Sequence, residues 1–291
     1  MAKSKAAKAR PRDGRVSDMV RVPRGPVDLS AFDTTATPGF DGDKEAGKVA
    51  LADLGPRIAD LQEKLFAEGA TGGRRSLLLV LQGMDTSGKG GTVRHVLGQV
   101  DPQGVAHTAF KVPTAEEKAH DFLWRFRRAL PGPGMLGVFD RSYFEDVLVV
   151  RVHDLVPKQT WSRRYATINR FEESLVSKGT VVVKCFLHIS RQESRDRLLA
   201  RLDDPTKQWK FKPGDIDERE YWGAYEQAYA DALEKCNTDS APWHVIPSDR
   251  KWYRNWAITN LLVEHLEAMA LDWPKPDFDV EEQRRRLLAT E

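Results

Sequence analysis

The chain has 291 residues, of which 30% are charged and 41% hydrophobic, with a formal net charge of +2. These values favour one large α/β domain with appendages, and the near-neutral charge predicts no nucleic-acid partner. No apolar run is long enough to span a membrane, and the basic N-terminus lacks a secretory h-region, so we expect a cytoplasmic protein without a membrane partner. Cys185 and Cys236 are the only cysteines, so we expect neither disulfides nor structural zinc.

The N-terminal part is rich in Lys, Arg, Pro, Gly and Asp and shows little periodicity. This composition predicts a flexible, basic, mostly extended arm over residues 1–43. Pro56 marks the expected start of the first helix. The helix would carry an apolar stripe formed by Ile58, Leu61, Leu65 and Phe66, and would end at the glycines of residues 69–73.

A phosphate-binding loop is predicted after the first core strand, Leu77–Leu81. The strand leads into Gly83-x-x-x-x-Gly88-Lys89 and then a helix-compatible segment, residues 92–100. Glycines allow close backbone approach to an anion, and the following helix N-terminus favours negative charge. The residues predicted to bind phosphate or nucleotide here are Gly83, Met84, Thr86, Ser87, Gly88, Gly90, Gly91, Thr92 and Arg94.

This loop departs from the usual pattern, because Gly90 stands where a Ser or Thr would hold Mg²⁺. Asp85 inside the loop would repel an anion unless a divalent cation intervened. We therefore predict that Asp85 is an oxygen ligand of that cation. The alternative is a glycine-rich turn in which Asp85 bonds only local backbone.

The next predicted elements place a second acid beside the loop. A strand over residues 105–112 precedes a helix opened by a Thr114–Glu117 capping box and running to about residue 130. A third strand, residues 135–139, ends at Asp140, the expected second metal ligand. Arg141 would add a cation beside the metal; the alternative is a structural ion pair with Asp140 or Glu145.

The C-terminal half is predicted to alternate helices and strands around a basic loop. Helices are expected at residues 161–176, 191–202, 218–236 and 251–271, strands at 180–189 and 243–246, and a peripheral helix after Pro274. The polar stretch 203–217 favours a lid that closes over a phosphate-rich ligand, the alternative being a solvated loop. The cations assigned to the lid and a long anion are Arg191, Arg195, Lys207, Lys210 and Lys212.

Alternation of strands and helices predicts a mainly parallel sheet covered on both faces. In such sheets ligands lie at the carboxyl ends of the strands, where both the glycine loop and Asp140 are expected. A nucleotide needs only a few cations besides the metal, so the surplus of Lys and Arg indicates a second, highly anionic ligand.

Four ordered blocks resemble the polyphosphate kinase 2 family: GMDTSGKGGT (83–92), FDRSYFEDVLVVRVH (139–153), DDPTKQWKFKPGDIDER (203–219) and PWHVIPSDRKWYRN (242–255). The resemblance implies a thymidylate-kinase-like P-loop fold, a three-layer α/β/α core over residues 44–275 with a helical lid at about 203–220, and a peripheral tail at 276–291. It also implies Mg²⁺-dependent, reversible phosphoryl transfer between inorganic polyphosphate and a purine nucleotide.

Carried onto this chain, the family pattern gives each site residue a role. Asp85 would hold Mg²⁺ (or Mn²⁺) and position the acceptor phosphate, and Lys89 would contact the transferred phosphate. Asp140 would be the second acidic residue at the metal, and Arg141 a phosphate clamp. ADP is the expected acceptor, with AMP and GDP as further candidates, and the family's dimers and tetramers imply a homo-oligomer.

Two other functions are compatible with the same loop. An ATP-dependent nucleotide kinase shares the loop and Asp140 but does not need so many lid cations. A non-catalytic regulator that binds nucleotide or polyphosphate would be consistent with Gly90 in place of the usual hydroxyl residue.

Overall fold

The computed structural model describes residues 14–290 and contains one five-stranded parallel sheet. The strands are β1 (Ser76–Gln82), β2 (Val105–Ala109), β3 (Leu136–Asp140), β4 (Thr180–His188) and β5 (Trp243–Pro247). Their order across the sheet is β2-β3-β1-β4-β5, and every neighbouring pair is parallel. This arrangement confirms the predicted parallel α/β fold.

Helices cover both faces of the sheet. They are α1 (Val16–Val20), α2 (Lys44–Ala70), α3 (Lys89–Leu97), α4 (Ala115–Lys118), α5 (Trp124–Arg128), α6 (Val149–Val152), α7 (Lys158–Val176), α8 (Arg191–Leu202), α9 (Gly214–Asp217), α10 (Trp222–Lys235), α11 (Lys251–Ala268) and α12 (Val280–Leu288). Short 3₁₀ helices lie at Leu29–Ala31, Pro102–Gly104, Tyr143–Asp146, Gln208–Lys210 and Glu218–Tyr221. Among the described residues, none of the helices combines the length and apolar character needed to cross a membrane.

The central strand β1 shows why the domain has three layers. Leu77, Leu79 and Leu81 point into one hydrophobic cluster with α2, α3 and α11, whereas Leu78 and Val80 join a second cluster with α5, α7 and α10. Successive side chains of a strand point to opposite faces, so a strand that is apolar at every position must be covered twice. All seven residues of β1 are buried accordingly.

The structure differs from the extended arm predicted for residues 1–43. Residues 1–13 lie outside the described residues, but residues 14–43 pack on the domain through Val16, Val20 and Phe40. The Glu264 carboxylate of α11 accepts hydrogen bonds from the first two amides of α1, at 2.7 and 2.9 Å. The polar composition hid the few apolar residues that anchor this segment.

The helix predicted to start at Pro56 begins twelve residues earlier. The Asp43 side chain caps it by accepting a hydrogen bond from the Ala46 amide at 2.9 Å, and Pro56 lies inside the helix. Gly47 looks like a helix breaker, yet a Cβ there would fall 2.1 Å from the Trp252 ring of α11. This glycine therefore permits close packing of α2 against α11.

The single helix predicted from Thr114 to about residue 130 is wrong. The Thr114–Glu117 capping box is present, but it opens only the four-residue helix α4. The Asp121 side chain then accepts a hydrogen bond from the Leu123 amide at 3.1 Å, and its carbonyl accepts one from Trp124. An Asp that bonds the backbone two residues ahead favours a turn, so α5 starts as a separate helix.

The buried histidine His244 is expected to make folding stability depend on pH. His244 on β5 is 2% exposed, and its Nδ1 lies 3.1 Å from the Lys184 carbonyl oxygen. Burial, followed by the charge of His265, lowers the pKa of His244 to about 3. The pKa of His265 is also lowered, mainly by burial. Arg21 and Lys184 further disfavour a charge on His244.

The folded state therefore keeps His244 neutral, whereas the unfolded chain protonates it near pH 6.5. Its contribution to stability is present above that pH and is lost as the pH falls from 6.5 toward 3. We expect urea unfolding to show a loss of up to about 1.4 kcal/mol per pH unit from this histidine. His244→Gln should flatten that slope, while replacement of the exposed His107 should not. An unchanged slope in His244→Gln would contradict the assignment.

Candidate active site

The glycine loop connects β1 to α3 at the carboxyl end of the sheet. Gly88 caps α3 with φ +107°, and α3 begins at Lys89 rather than at residue 92 as predicted. The amides of Lys89, Gly90 and Gly91 therefore belong to the first helical turn, whose N–H groups have no partner within the helix. Of the four described non-glycine residues with positive φ, Thr86 and Arg141 lie at this loop. Such strain is typical of functional sites.

Lys89 lies across the loop that precedes it. Its side chain is buried, and Nζ donates hydrogen bonds to the carbonyl oxygens of Gly83 at 2.7 Å and Met84 at 3.3 Å. Burial and the nearby Arg141 lower its pKa, while Asp85, Asp140 and Glu145 act in the opposite direction. A desolvated ammonium group with carboxylates around it is suited to following a phosphoryl group as it moves.

Asp85, Asp140 and Arg141 are brought together with Lys89. Asp140 pairs in register with Leu81 at the end of β1, and the Arg141 amide donates to the Leu81 carbonyl at 3.0 Å. The Arg141 guanidinium then reaches Asp85, with Nη2 3.1 Å from Oδ1. Burial lowers the pKa of Arg141, but the carboxylates of Glu145 and Asp85 outweigh it and the net shift is upward.

Glu145 is a site residue that was not predicted beyond a possible ion pair with Arg141. Burial raises the pKa of its carboxyl group, and Arg141 and Lys89 oppose that rise. It lies one short 3₁₀ turn after Asp140, at Tyr143–Asp146. The only sign of it in the sequence was that it follows Asp140 by five residues. Because the geometry of the turn between them was not known, that spacing did not indicate that the Glu145 side chain points into the site.

A cavity of about 280 Å³ opens beside these residues. Its lining combines the charged groups of Asp85, Arg141 and Glu145 with apolar and aromatic side chains, which include Leu148, Val149, Leu198, Trp222, Tyr225 and Tyr229. This combination suits a ligand with a charged end and a flat, less polar end. A larger cavity, about 580 Å³, contacts only Arg191 among the predicted site residues, and it lacks the phosphate loop.

The cations predicted for the lid lie mostly on the surface. Arg195, Lys207, Lys210 and Lys212 are exposed, and Lys210 lies 5.1 Å from the centre of the Trp209 ring. Arg191 is linked to Arg219, whose Nη2 donates to the Arg191 carbonyl at 3.0 Å. None of the three lysines lines the 280 Å³ cavity, whereas Arg219 does.

Ser194 connects the glycine loop to the segment that was predicted to be a lid. Its hydroxyl accepts hydrogen bonds from Thr86 Oγ1 at 3.0 Å and from Arg219 Nη1 at 2.9 Å. Arg219 belongs to the sequence block that ends the predicted lid, but nothing in that block indicates a contact with helix α8. Arg94, assigned to phosphate binding, is exposed on α3.

The acidic residues at the loop fit a magnesium ion that is only partly held by protein. Within residues 14–290, no group of three or more acidic, histidine or cysteine side chains is arranged to hold an ion alone. Mg²⁺ is commonly bound by one or two carboxylates, with phosphate and water oxygens completing six ligands. Asp85 and Asp140 are both close enough to Lys89 to act on its pKa, and they provide that carboxylate pair.

Comparison with known proteins identifies the family and the fold. The family model described as Polyphosphate kinase 2 (PPK2) matches residues 41–274. The AMP/ADP-polyphosphate phosphotransferase of Meiothermus ruber is 48% identical over 255 residues, 88% of this chain and 94% of that protein. The ADP-polyphosphate phosphotransferase of Rhodopseudomonas palustris is 40% identical over 86% of this chain and 89% of its own length. The crystal structure of Polyphosphate Kinase 2 from Arthrobacter aurescens TC1 has a TM-score of 0.93 and 51% identity, covering 95% of this chain and 97% of that one.

Proposed function

This chain belongs to the polyphosphate kinase 2 family, and we propose that it transfers a terminal phosphoryl group from inorganic polyphosphate to a nucleotide. The enzyme class follows from family membership and from relatives named polyphosphate phosphotransferases. The observation that carries the proposal is the meeting of Lys89, Arg141 and two carboxylates beside a cavity that Asp85 and Arg141 line together with aromatic side chains.

The reaction needs alignment and charge neutralisation rather than a protein nucleophile. A phosphate oxygen of the acceptor attacks the terminal phosphorus of polyphosphate in line with the departing chain. Lys89 and the first-turn amides of α3 would stabilise charge on the transferred group, and Arg141 would hold a phosphate next to Asp85. Because all these groups are fixed before substrate binds, little reorganisation is required.

Mg²⁺, with Mn²⁺ as a substitute, would be held by Asp85 and Asp140 together with substrate oxygens. When bound, the ion supplies charge neutralisation between the two anionic substrates. The protein's contribution is to keep both carboxylates at the loop, and Arg141 limits the movement of Asp85 through its 3.1 Å contact. Chelation with EDTA should therefore abolish turnover.

The acceptor is proposed to be ADP, with AMP and GDP as further acceptors. The cavity supports a nucleotide because its polar lining residues can hold phosphate and its Tyr and Trp side chains can face a base. The segment at about 203–220 would act as the lid of a domain spanning residues 44–275. Its exposed Lys207, Lys210 and Lys212 suit a long polyanion along the rim. Assembly as a dimer or tetramer is proposed from family resemblance.

The decisive experiment supplies ADP and polyphosphate without ATP and follows ATP by chromatography. We expect ATP to accumulate while polyphosphate shortens, because the donor phosphate comes from the polymer. A parallel reaction without polyphosphate corrects for disproportionation of ADP by contaminants. Substituting AMP and GDP for ADP then defines the acceptor.

The alternatives give different results in the same assay. An ATP-dependent nucleotide kinase would form the same amount of ATP from ADP with and without polyphosphate, and it would phosphorylate a nucleotide when ATP is supplied. A binding regulator would turn over neither mixture. Either result would refute the proposal.

A further inference from the structure

Two buried arginines lie beneath the phosphate loop, on its core side. Arg197 on α8 is 8% exposed and Arg254 on α11 is 3% exposed. Arg254 Nη1 donates to the Ser87 carbonyl at 3.0 Å. Arg197 Nη1 donates to the same carbonyl at 3.1 Å and to that of Thr86 at 2.8 Å. Two guanidinium groups from distant helices therefore meet at one peptide of the loop.

The positive charge of Arg254 has no acidic partner among the described residues. Arg197 is paired with Glu193, with Nε 2.7 Å from Oε1. Arg254 instead bonds only the Ser87 carbonyl and the Asn255 amide oxygen, at 3.0 Å from Nη2. Burial and then Arg197 lower the pKa of Arg254 to about 9. A buried cation without a counter-ion is costly, so an anion bound on the other side of the loop would offset that cost.

The contacts also determine which way a loop amide points. No cis peptide bond occurs among the described residues, so the Ser87–Gly88 peptide is trans and planar. In such a peptide the C=O and the following N–H point in opposite directions. Because both arginines hold the Ser87 carbonyl from the core side, the Gly88 N–H points away from them.

Gly88 permits this close approach. A Cβ at Gly88 would fall 1.8 Å from Arg254 Nη1, and φ there is +107°. Any other residue would displace the guanidinium as well as strain the backbone. The glycine of the phosphate motif and the arginine of α11 are therefore matched to each other.

We infer that Arg254 is a positioning residue, which together with Arg197 aims the Gly88 N–H at the substrate phosphate and adds buried positive charge behind it. Arg254 itself does not touch substrate. This inference rests on the proposed function, since it requires that the loop binds the phosphates of polyphosphate or nucleotide.

The test compares Arg254→Met, Arg254→Lys and a structural control in the full-length protein. Leu262→Ala is the control, because Leu262 is fully buried on the same helix two turns away. Steady-state rates are measured with ADP and varied polyphosphate, at a temperature well below the melting temperatures of the wild type and of all three variants. Calorimetry with inorganic tripolyphosphate measures anion binding independently of turnover.

We expect Arg254→Met to lower kcat/KM for polyphosphate about 100-fold, as for the loss of one preorganised donor. Its affinity for tripolyphosphate should fall about tenfold. Arg254→Lys keeps the charge but cannot contact both the Ser87 carbonyl and the Asn255 amide oxygen as the guanidinium does. Its kcat/KM and its affinity for tripolyphosphate should therefore lie between those of the wild type and of Arg254→Met. Leu262→Ala should lose stability while kcat/KM stays within twofold of the wild type.

Wild-type kcat/KM and tripolyphosphate affinity in Arg254→Lys and Arg254→Met would overturn the inference. If Arg254→Met does not fold, Arg254→Lys decides by the same two measurements. A wild-type enzyme that makes no ATP from polyphosphate would instead refute the proposed function, so the two failures are distinguishable.

Discussion

Replacing Lys89 with alanine is expected to lower kcat about 10³-fold, which is the scale for removing a charged group that stabilises a transferred phosphoryl group. Lys89 Nζ is held by the carbonyls of Gly83 and Met84, so it is already positioned at the loop. Among the described residues, the adjoining cavity is lined by Arg141 and Arg219 but by no lysine, so no second lysine is placed there to replace Lys89. Initial rates of ATP formation from ADP and polyphosphate measure the effect.

The fold should tolerate this replacement, because the buried ammonium is removed together with its desolvation cost. Circular dichroism and thermal unfolding would show whether the variant is intact. His95→Ala is a matched control, since His95 is exposed on the same helix and its side chain makes no contact with the loop in the structure. A Lys89→Ala enzyme with near-wild-type kcat would refute the role assigned to this lysine.

Lys184→Met is expected to reduce the free energy of unfolding by about 3–5 kcal/mol, the usual cost of leaving one buried charge unpaired. The Lys184 and Glu172 side chains are fully buried, with Nζ 2.6 Å from Oε2. Tyr143 donates to the other carboxylate oxygen at 2.8 Å, and Lys184 also donates to the Cys236 carbonyl at 2.6 Å. Burial raises the pKa of Glu172, whereas the charge of Lys184 and the hydrogen bonds from Lys184 and Tyr143 act to lower it.

The double variant Lys184→Met with Glu172→Gln should recover much of this loss, because no buried carboxylate then remains without its partner. Urea unfolding at pH 7.5 measures both variants. Replacing Lys178, which is exposed just beyond α7, should change stability by less than about 0.5 kcal/mol. Equal stability of the single and double variants would show that the ion pair is not the source of the effect.

The parts of the site that the sequence predicts are those whose signals are local. The Gly83–Lys89 spacing follows a continuous apolar strand, and Asp140 follows another. In a parallel sheet both positions lie at the same edge. The structure indeed pairs Leu81 with Asp140. Helix α8 was predicted with its observed bounds, Arg191–Leu202, and the structure shows that the Ser190 side chain caps it.

The parts that were not predicted depend on contacts between distant residues. Arg254 is 166 positions from Gly88, and an arginine within an aromatic helix carries no local sign that it reaches a glycine loop. Pro56 was predicted to start the first helix, whereas α2 begins at Lys44, because the packing of Trp252 against Gly47 is visible only in three dimensions. The place of Glu145 in the site could not be predicted, because it depends on the geometry of the 3₁₀ turn at Tyr143–Asp146.

The N-terminal segment has a consequence for where a minimal version of this protein can begin. The family match starts at residue 41, but the Val22 amide donates to the Trp243 carbonyl of β5 at 2.9 Å, and an antiparallel bridge joins Arg21 to His244. These contacts shield the outer border of the sheet. A shortened version starting at residue 41 would present bare strand backbone and an apolar groove to other molecules, and such borders promote aggregation.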